Sequence, residues 1–167
     1  RIATMKEMLI ADLFCGAGGA AWGIHQACED AGIPHRIVGF DIKPQKHYPF
    51  EFVLQDALTV GLSPFDAVWA SPPCQRYGPM SNRRASHPDL YEPTRDLLLA
   101  SGLPFAIENG YGAPYLSGIM LCGSMFGLKV RRHRNFETSH LLLNGLRCDH
   151  AKQGRPITVT GHGGGQP

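Results

Sequence analysis

The chain has 167 residues, 43% of them hydrophobic and 18% charged, enough for one buried core and too apolar for a disordered polymer. Its net charge of +2 is uneven: residues 1–70 carry five Lys/Arg against eight Asp/Glu, and residues 71–167 carry eleven against six. A basic second half suits a polyanionic partner, with a solvated face as the plain alternative. Five cysteines, odd in number and without a CxxC pair, argue for reduced thiols in an intracellular compartment rather than a disulfide framework. No apolar run reaches the length of a bilayer span and no charged-then-apolar leader opens the sequence, so neither membrane nor secretion is expected.

Met8 to Asp12 reads as a first buried strand. Asp12 to Gly19 (DLFCGAGG) follows, and Gly16, Gly18 and Gly19 permit a tight strand-to-helix turn with close backbone approach to a ligand. Ala20 to Ala31 reads as a helix that stops at Gly32, with Pro34 just beyond. Arg36 to Asp41 is the second strand. Asp41 stands 22 residues after Gly19, near the spacing at which an acid meets ribose hydroxyls. The set points to a nucleoside, and the lack of GxxxxGK disfavours a triphosphate.

Glu51 to Leu54 reads as a third strand, followed by Asp56, which either accepts from an adenine amino group or caps the next helix. Asp66 to Ala70 is a fourth strand. It runs into Ser71-Pro72-Pro73-Cys74-Gln75, where two prolines end the ladder and set a thiol at the carboxyl end of a strand. Cys74 is therefore either a nucleophile or a small buried hydrophobe. Tyr77 to His87 reads as a mobile loop carrying Arg83 and Arg84, and Pro88 to Ser101 as a helix stopped by Gly102.

Phe105 to Asn109 is a fifth buried strand containing Glu108. A carboxylate in an apolar run is either capped or ion-paired, or an acid with a raised pKa. Tyr111 to Leu128 has no periodic pattern. Over Val130 to Phe136, strand alternation puts Arg132 and Arg134 on one face. Cys148, His150 and His162 match no closed zinc spacing, so no metal site is expected. Gly161 to Pro167 reads as a flexible tail.

DLFCGAGG, the acid of GFD, the Asp of QDA, PPCQ, EN and RRHR occur in one order, and in that order they resemble the cytosine-5 DNA methyltransferases from Ile10 to about Phe136. The resemblance implies a single-domain α/β fold of the Rossmann-like S-adenosylmethionine-dependent methyltransferase kind. Residues 1–138 would be the catalytic domain and 139–167 a short C-terminal extension, a remnant or truncated target-recognition region. It implies S-adenosylmethionine at Phe14, Cys15, Gly16, Ala17, Gly18, Gly19, Asp41, Ile42, Asp56, Ala57 and Pro73, with S-adenosylhomocysteine as product. Cys74 would be the nucleophile, Glu108 its partner at the base, and Arg132 and Arg134 their support. Gln75, Arg76, Ser81, Arg83, Arg84 and Asn109 would contact double-stranded DNA with a flipped cytosine.

The chain departs from the family at Val130, where Gln is usual two residues before the first arginine of RRHR, at Asp41 for Glu, and at Gly110 for Val. The family's recognition domain and closing helix have no evident counterpart, so a missing C-terminal segment or a second chain is an expected partner. The compartment implied is the cytoplasm or nucleoid of a bacterium or infected host cell. The same chemistry on RNA, and a non-catalytic nucleic-acid-binding fragment, stand as alternatives.

Overall fold

The computed structural model describes residues 6–77, 87–110, 112–113, 118–140, 142 and 145–157. Seven strands form one sheet: β1 (Met8–Leu13), β2 (His35–Asp41), β3 (Glu51–Leu54), β4 (Ala67–Ala70), β5 (Phe105–Gly110), β6 (Ile119–Cys122) and β7 (His133–Thr138). Their order is β3-β2-β1-β4-β5-β7-β6. The first five run parallel, and β7 is antiparallel to both β5 and β6.

β1 lies at the centre of the parallel part, with Ala11 opposite Val38 on one side and Val68 on the other. A strand covered on both faces needs a continuous apolar run, which Leu9 to Leu13 supplies apart from Asp12. On one face α1 (Gly19–Asp30) packs Ala21 and Cys28 against Ile10 and Ile37. On the other, Leu13, Phe40, Val68 and Ile107 pack with Tyr91 and Leu98 of α2 (Tyr91–Ser101) and with Ala57 of a 3-10 turn. Both helices stop where glycine was expected to stop them. Gly32 and Gly102 take left-handed φ of 65° and 67°, a conformation that costs a side-chain-bearing residue more.

The structure departs from the sequence reading on the antiparallel side. β6 lies inside the stretch read as irregular. It has four residues, too few to show a period, and its flanking glycines resemble turn signals. Those glycines serve close approach: a Cβ on Gly118 would lie 2.6 Å from the Phe136 carbonyl oxygen, and one on Gly123 would lie 2.2 Å from that of Val130. β7 starts at His133, so Arg132 precedes the strand. α2 starts at Tyr91 rather than Pro88, after an Asp89 carboxylate that accepts the Tyr91 N–H at 3.1 Å.

β7 is tied to α2 by a buried carboxylate. Glu137 is 2% exposed, accepts from the Tyr91 hydroxyl, and pairs with Arg95 Nε at 2.7 Å. Because β7 runs backwards, its first residues lie at the same rim as the carboxyl ends of the parallel strands: Arg134 sits opposite Gly110. Among the described residues, no helix is long and apolar enough to cross a membrane.

Candidate active site

The turn after β1 is built from three residues with left-handed backbone: Phe14 (φ 58°), Gly16 (φ 50°) and Gly18 (φ 85°). Phe14 is the only non-glycine of this kind among the described residues, and it falls in the motif rather than in an idle loop. Packing locks the turn to β2. A Cβ on Gly18 would lie 2.5 Å from Pro49 Cδ, and one on Gly39 would lie 2.3 Å from Tyr48 Cζ. Asp41 joins it from the end of β2: Oδ2 accepts Gly16 N–H at 3.1 Å, and Oδ1 accepts Lys43 N–H at 2.9 Å. A carboxylate has about four acceptor positions, so both oxygens retain capacity for ligand hydroxyls. A Cβ on Gly16 or Gly19 would meet nothing within 4 Å, and Ile42 beside Asp41 is 66% exposed. Open backbone, an acid and an uncovered apolar side chain together suit a nucleoside with a flat base.

Asp12 lies beneath this turn, wholly buried, accepting from the Tyr48 hydroxyl at 3.1 Å while Oδ1 has no hydrogen-bond partner. Burial pushes its pKa up to about 7, against the Tyr48 hydrogen bond and with help from Asp41. Burial, with Asp12 and Asp41 behind it, pushes the Cys15 thiol up to about 12.

The loop after β4 is anchored to the turn by Ser71 N–H, which donates to the Leu13 carbonyl at 3.1 Å. Asn109 anchors it to β5: Nδ2 donates to the Pro72 carbonyl at 2.9 Å, and Oδ1 accepts Gly110 N–H at 2.7 Å. Cys74 thereby rests against the end of β5. A Cβ built on Gly110 would lie 3.5 Å from Cys74 Cβ and 4.0 Å from Sγ. Two residues earlier on β5, Glu108 pairs with Arg134 Nε of β7 at 2.5 Å. Trp69 Nε1 donates to Ser71 Oγ at 2.8 Å. Burial raises the Glu108 pKa, while Arg134, Arg132 and Ser71 work against it.

The structure therefore brings the loop of Cys74, Glu108 and Arg134 to one rim beside the glycine turn. Arg132 is exposed and outside β7, so the expected strand alternation with Arg134 is absent, although its charge still acts on Glu108. Asn109, expected at the nucleic acid, is 1% exposed, and its amide holds the loop of Cys74 in place. Ala57 and Cys15 are buried in the core, which leaves only their backbones for a ligand. Asp56 follows the capping alternative, with Oδ1 accepting Leu58 N–H at 3.0 Å. Arg76 turns toward α2, to Asp89 at 3.4 Å and the His87 carbonyl at 3.3 Å. Ala17, Pro73 and Gln75 are exposed. Ser81, Arg83, Arg84 and most of the loop read as mobile lie outside the described residues, as does His162. Sequence reasoning missed Tyr48, for which no motif gives a signal, and gave Ser71 no role beyond opening the proline stretch.

The expectation of no metal-ligating set is corrected. Cys122, His133, Cys148 and His150 bring their ligand atoms within 4.8 Å of one another. Their spacing, ten, fourteen and one residues, spans two strands and a loop, so no compact motif announces it. Burial raises the Cys122 thiol, but hydrogen bonds with Ser124, His150 and Cys148 outweigh it and bring the pKa down to about 6.

No protein-family model and no curated protein sequence matches the chain. Solved structures do. Dnmt2 methyltransferase of S. pombe is 20% identical, with a TM-score of 0.57 over 84% of this chain and 51% of that one. The Entamoeba histolytica methyltransferase EhMeth is 18% identical, with a TM-score of 0.58 over 80% of this chain and 53% of that one. The chain thus spans about half the length of these neighbours. Its architecture is the α/β Rossmann-like fold of S-adenosylmethionine-dependent methyltransferases.

Proposed function

We propose that the chain transfers a methyl group from S-adenosylmethionine to carbon 5 of cytosine in DNA. The observation that carries this reading is the Glu108–Arg134 pair at the end of β5, with Cys74 packed on Gly110 two residues away. The ordered motifs resemble the DNA enzymes, which is why DNA is the substrate proposed. The turn from Phe14 to Gly19, with Asp41 and Ile42, would hold S-adenosylmethionine, which supplies an electrophilic methyl group when bound.

Carbon 5 of cytosine is a poor nucleophile. Addition of the Cys74 sulfur to carbon 6 breaks the 5,6 double bond and makes carbon 5 nucleophilic. Glu108 would share a proton with ring nitrogen 3 as the sulfur adds and so draw electron density from carbon 6; its burial favours the protonated form, and Arg134 opposes it. Arg134 fixes the carboxyl orientation. Carbon 5 would take the methyl group with S-adenosylhomocysteine as leaving group, then lose its proton to water as the double bond re-forms and the Cys74 thiolate leaves. A base inside a duplex is out of reach of such a site, so it must swing out.

The test is labelled-methyl incorporation, run side by side on DNA and RNA of the same sequence. DNA labelling that falls to background in Cys74→Ala, and by about a hundredfold or more in Glu108→Ala, supports the proposal. Labelling of RNA alone moves the substrate to RNA. Undiminished labelling in Cys74→Ala removes the mechanism. Calorimetry with S-adenosylmethionine separates lost chemistry from lost cofactor binding.

A further inference from the structure

We propose that Cys122, His133, Cys148 and His150 form a closed tetrahedral Zn2+ site that clamps the segment after β7 onto the β6–β7 edge. The four donors come from three places: Cys122 ends β6, His133 begins β7 directly opposite it, and Cys148 and His150 come from the returning chain. Two thiolates and two imidazoles in a tetrahedron are the donor set that suits zinc.

Two of the sulfur–nitrogen distances fit the ion as they stand. With metal–sulfur and metal–nitrogen bonds of about 2.3 and about 2.05 Å, a tetrahedron sets sulfur and nitrogen about 3.5 Å apart. Cys122 Sγ to His150 Nε2 and His133 Nε2 to Cys148 Sγ are both 3.4 Å. Cys148 Sγ to His150 Nε2 is closer, 2.7 Å, a direct thiol–imidazole hydrogen bond that an entering ion would open. Each thiol gives its proton to solvent on binding, and two thiolates balance the dication. Ser124 Oγ lies 3.4 Å from Cys122 Sγ and 3.2 Å from Cys148 Sγ, placed to orient both sulfurs. Four protein donors leave no open position, so the role is structural rather than catalytic.

The surroundings are built to receive the segment. Gln153 Nε2 donates to the Leu128 and Val130 carbonyls at 2.8 and 2.9 Å, and Arg131 donates to the His150 carbonyl at 3.3 Å. Ile157 N–H donates to the Lys129 carbonyl at 2.8 Å. His133 directly precedes Arg134, the partner of Glu108, so the clamp fixes the register of the strand that reaches the rim. The other imidazole cluster, His25, Glu29 and His35, contrasts with it. His35 already uses both ring nitrogens, on His25 at 2.8 Å and the Ile33 carbonyl at 2.9 Å.

The test is metal content of the full chain, which needs no methylation assay and can fail or succeed apart from the proposed reaction. Reduced, metal-stripped protein titrated with Zn2+ should take up one tightly held equivalent. With Co2+ it should show the visible absorption of a tetrahedral ion and thiolate-to-metal charge transfer. Cys148→Ser and His150→Ala should each weaken Zn2+ binding roughly a hundredfold or more, Ser124→Ala roughly tenfold, and His25→Ala not at all. No uptake by the reduced wild-type chain, or an octahedral Co2+ spectrum, overturns the proposal whether or not the variants fold. A Cys122–Cys148 disulfide that reduction does not convert to a metal-binding form overturns it too.

Discussion

β1 and β7 both have six residues, yet opposite kinds of force hold them. The last four residues of β1 are buried, and its neighbours on both sides are parallel and apolar. In β7 only Glu137 is buried, and the strand is fastened by named polar contacts: Glu137 to α2, Arg134 to Glu108, and His133 to Cys148. The parallel half owes its order to area removed from water. The reversed half owes more of it to a few directional bonds, which single substitutions can cut one at a time. Cys74, Glu108 and Arg134 lie where the halves meet.

Glu137→Ala should show the largest effect. It leaves the Arg95 guanidinium and the buried Tyr91 hydroxyl without their acceptor, at a cost of about 3–5 kcal/mol in urea unfolding. A loss no greater than that of an exposed ion pair would erase the contrast between the halves. Leu13→Ala, in wholly buried β1, should cost about 2–5 kcal/mol through lost burial and the cavity left behind. Its hydrogen-exchange signature should be global, whereas zinc removal should open β6 and β7 and leave β1 protected.

Asp12 sharpens the comparison within the parallel half. Its folded-state pKa of about 7 exceeds the unfolded value near 4, so the folded protein binds this proton more tightly. The stability linked to it is therefore full below about pH 4 and is lost as pH rises to about 7. Asp12→Asn cannot ionise, so its stability relative to wild type should improve by on the order of 3 kcal/mol between those limits. Equal urea midpoint differences at pH 4.5 and 7.5 would show that burial leaves this carboxyl unperturbed. Gly102→Ala should give the smallest change, about 1 kcal/mol, since only its left-handed φ opposes a side chain and no neighbour crowds the site.

The parallel half was the legible one. Met8–Asp12, Arg36–Asp41 and Glu51–Leu54 announce themselves by apolar runs, and the glycine turn and PPCQ announce where those runs end. The reversed half was not. Ile119 to Cys122 is too short to carry a period, and Arg132 looks like strand until the ladder is seen to start at His133. The burial of Asn109 and Ala57 has one reason: a motif gives a residue's place in the chain, but packing decides which way it faces. Cys122 and His133 gave no sign beside Cys148 and His150, because their proximity depends on a strand pairing that no local pattern encodes.

The reversal of β7 also constrains how this protein can grow. The strand finishes beside the beginning of β5, where Ser139 N–H donates to the Phe105 carbonyl. Cys148 is back at the other end of the ladder, with Cys122 and His133. Thr138 and Cys148 thus lie about 17–20 Å apart, the length of a six-residue strand. Both points are tethered. Extra sequence added between those two points, even a whole module, would lengthen an excursion without shifting either attachment.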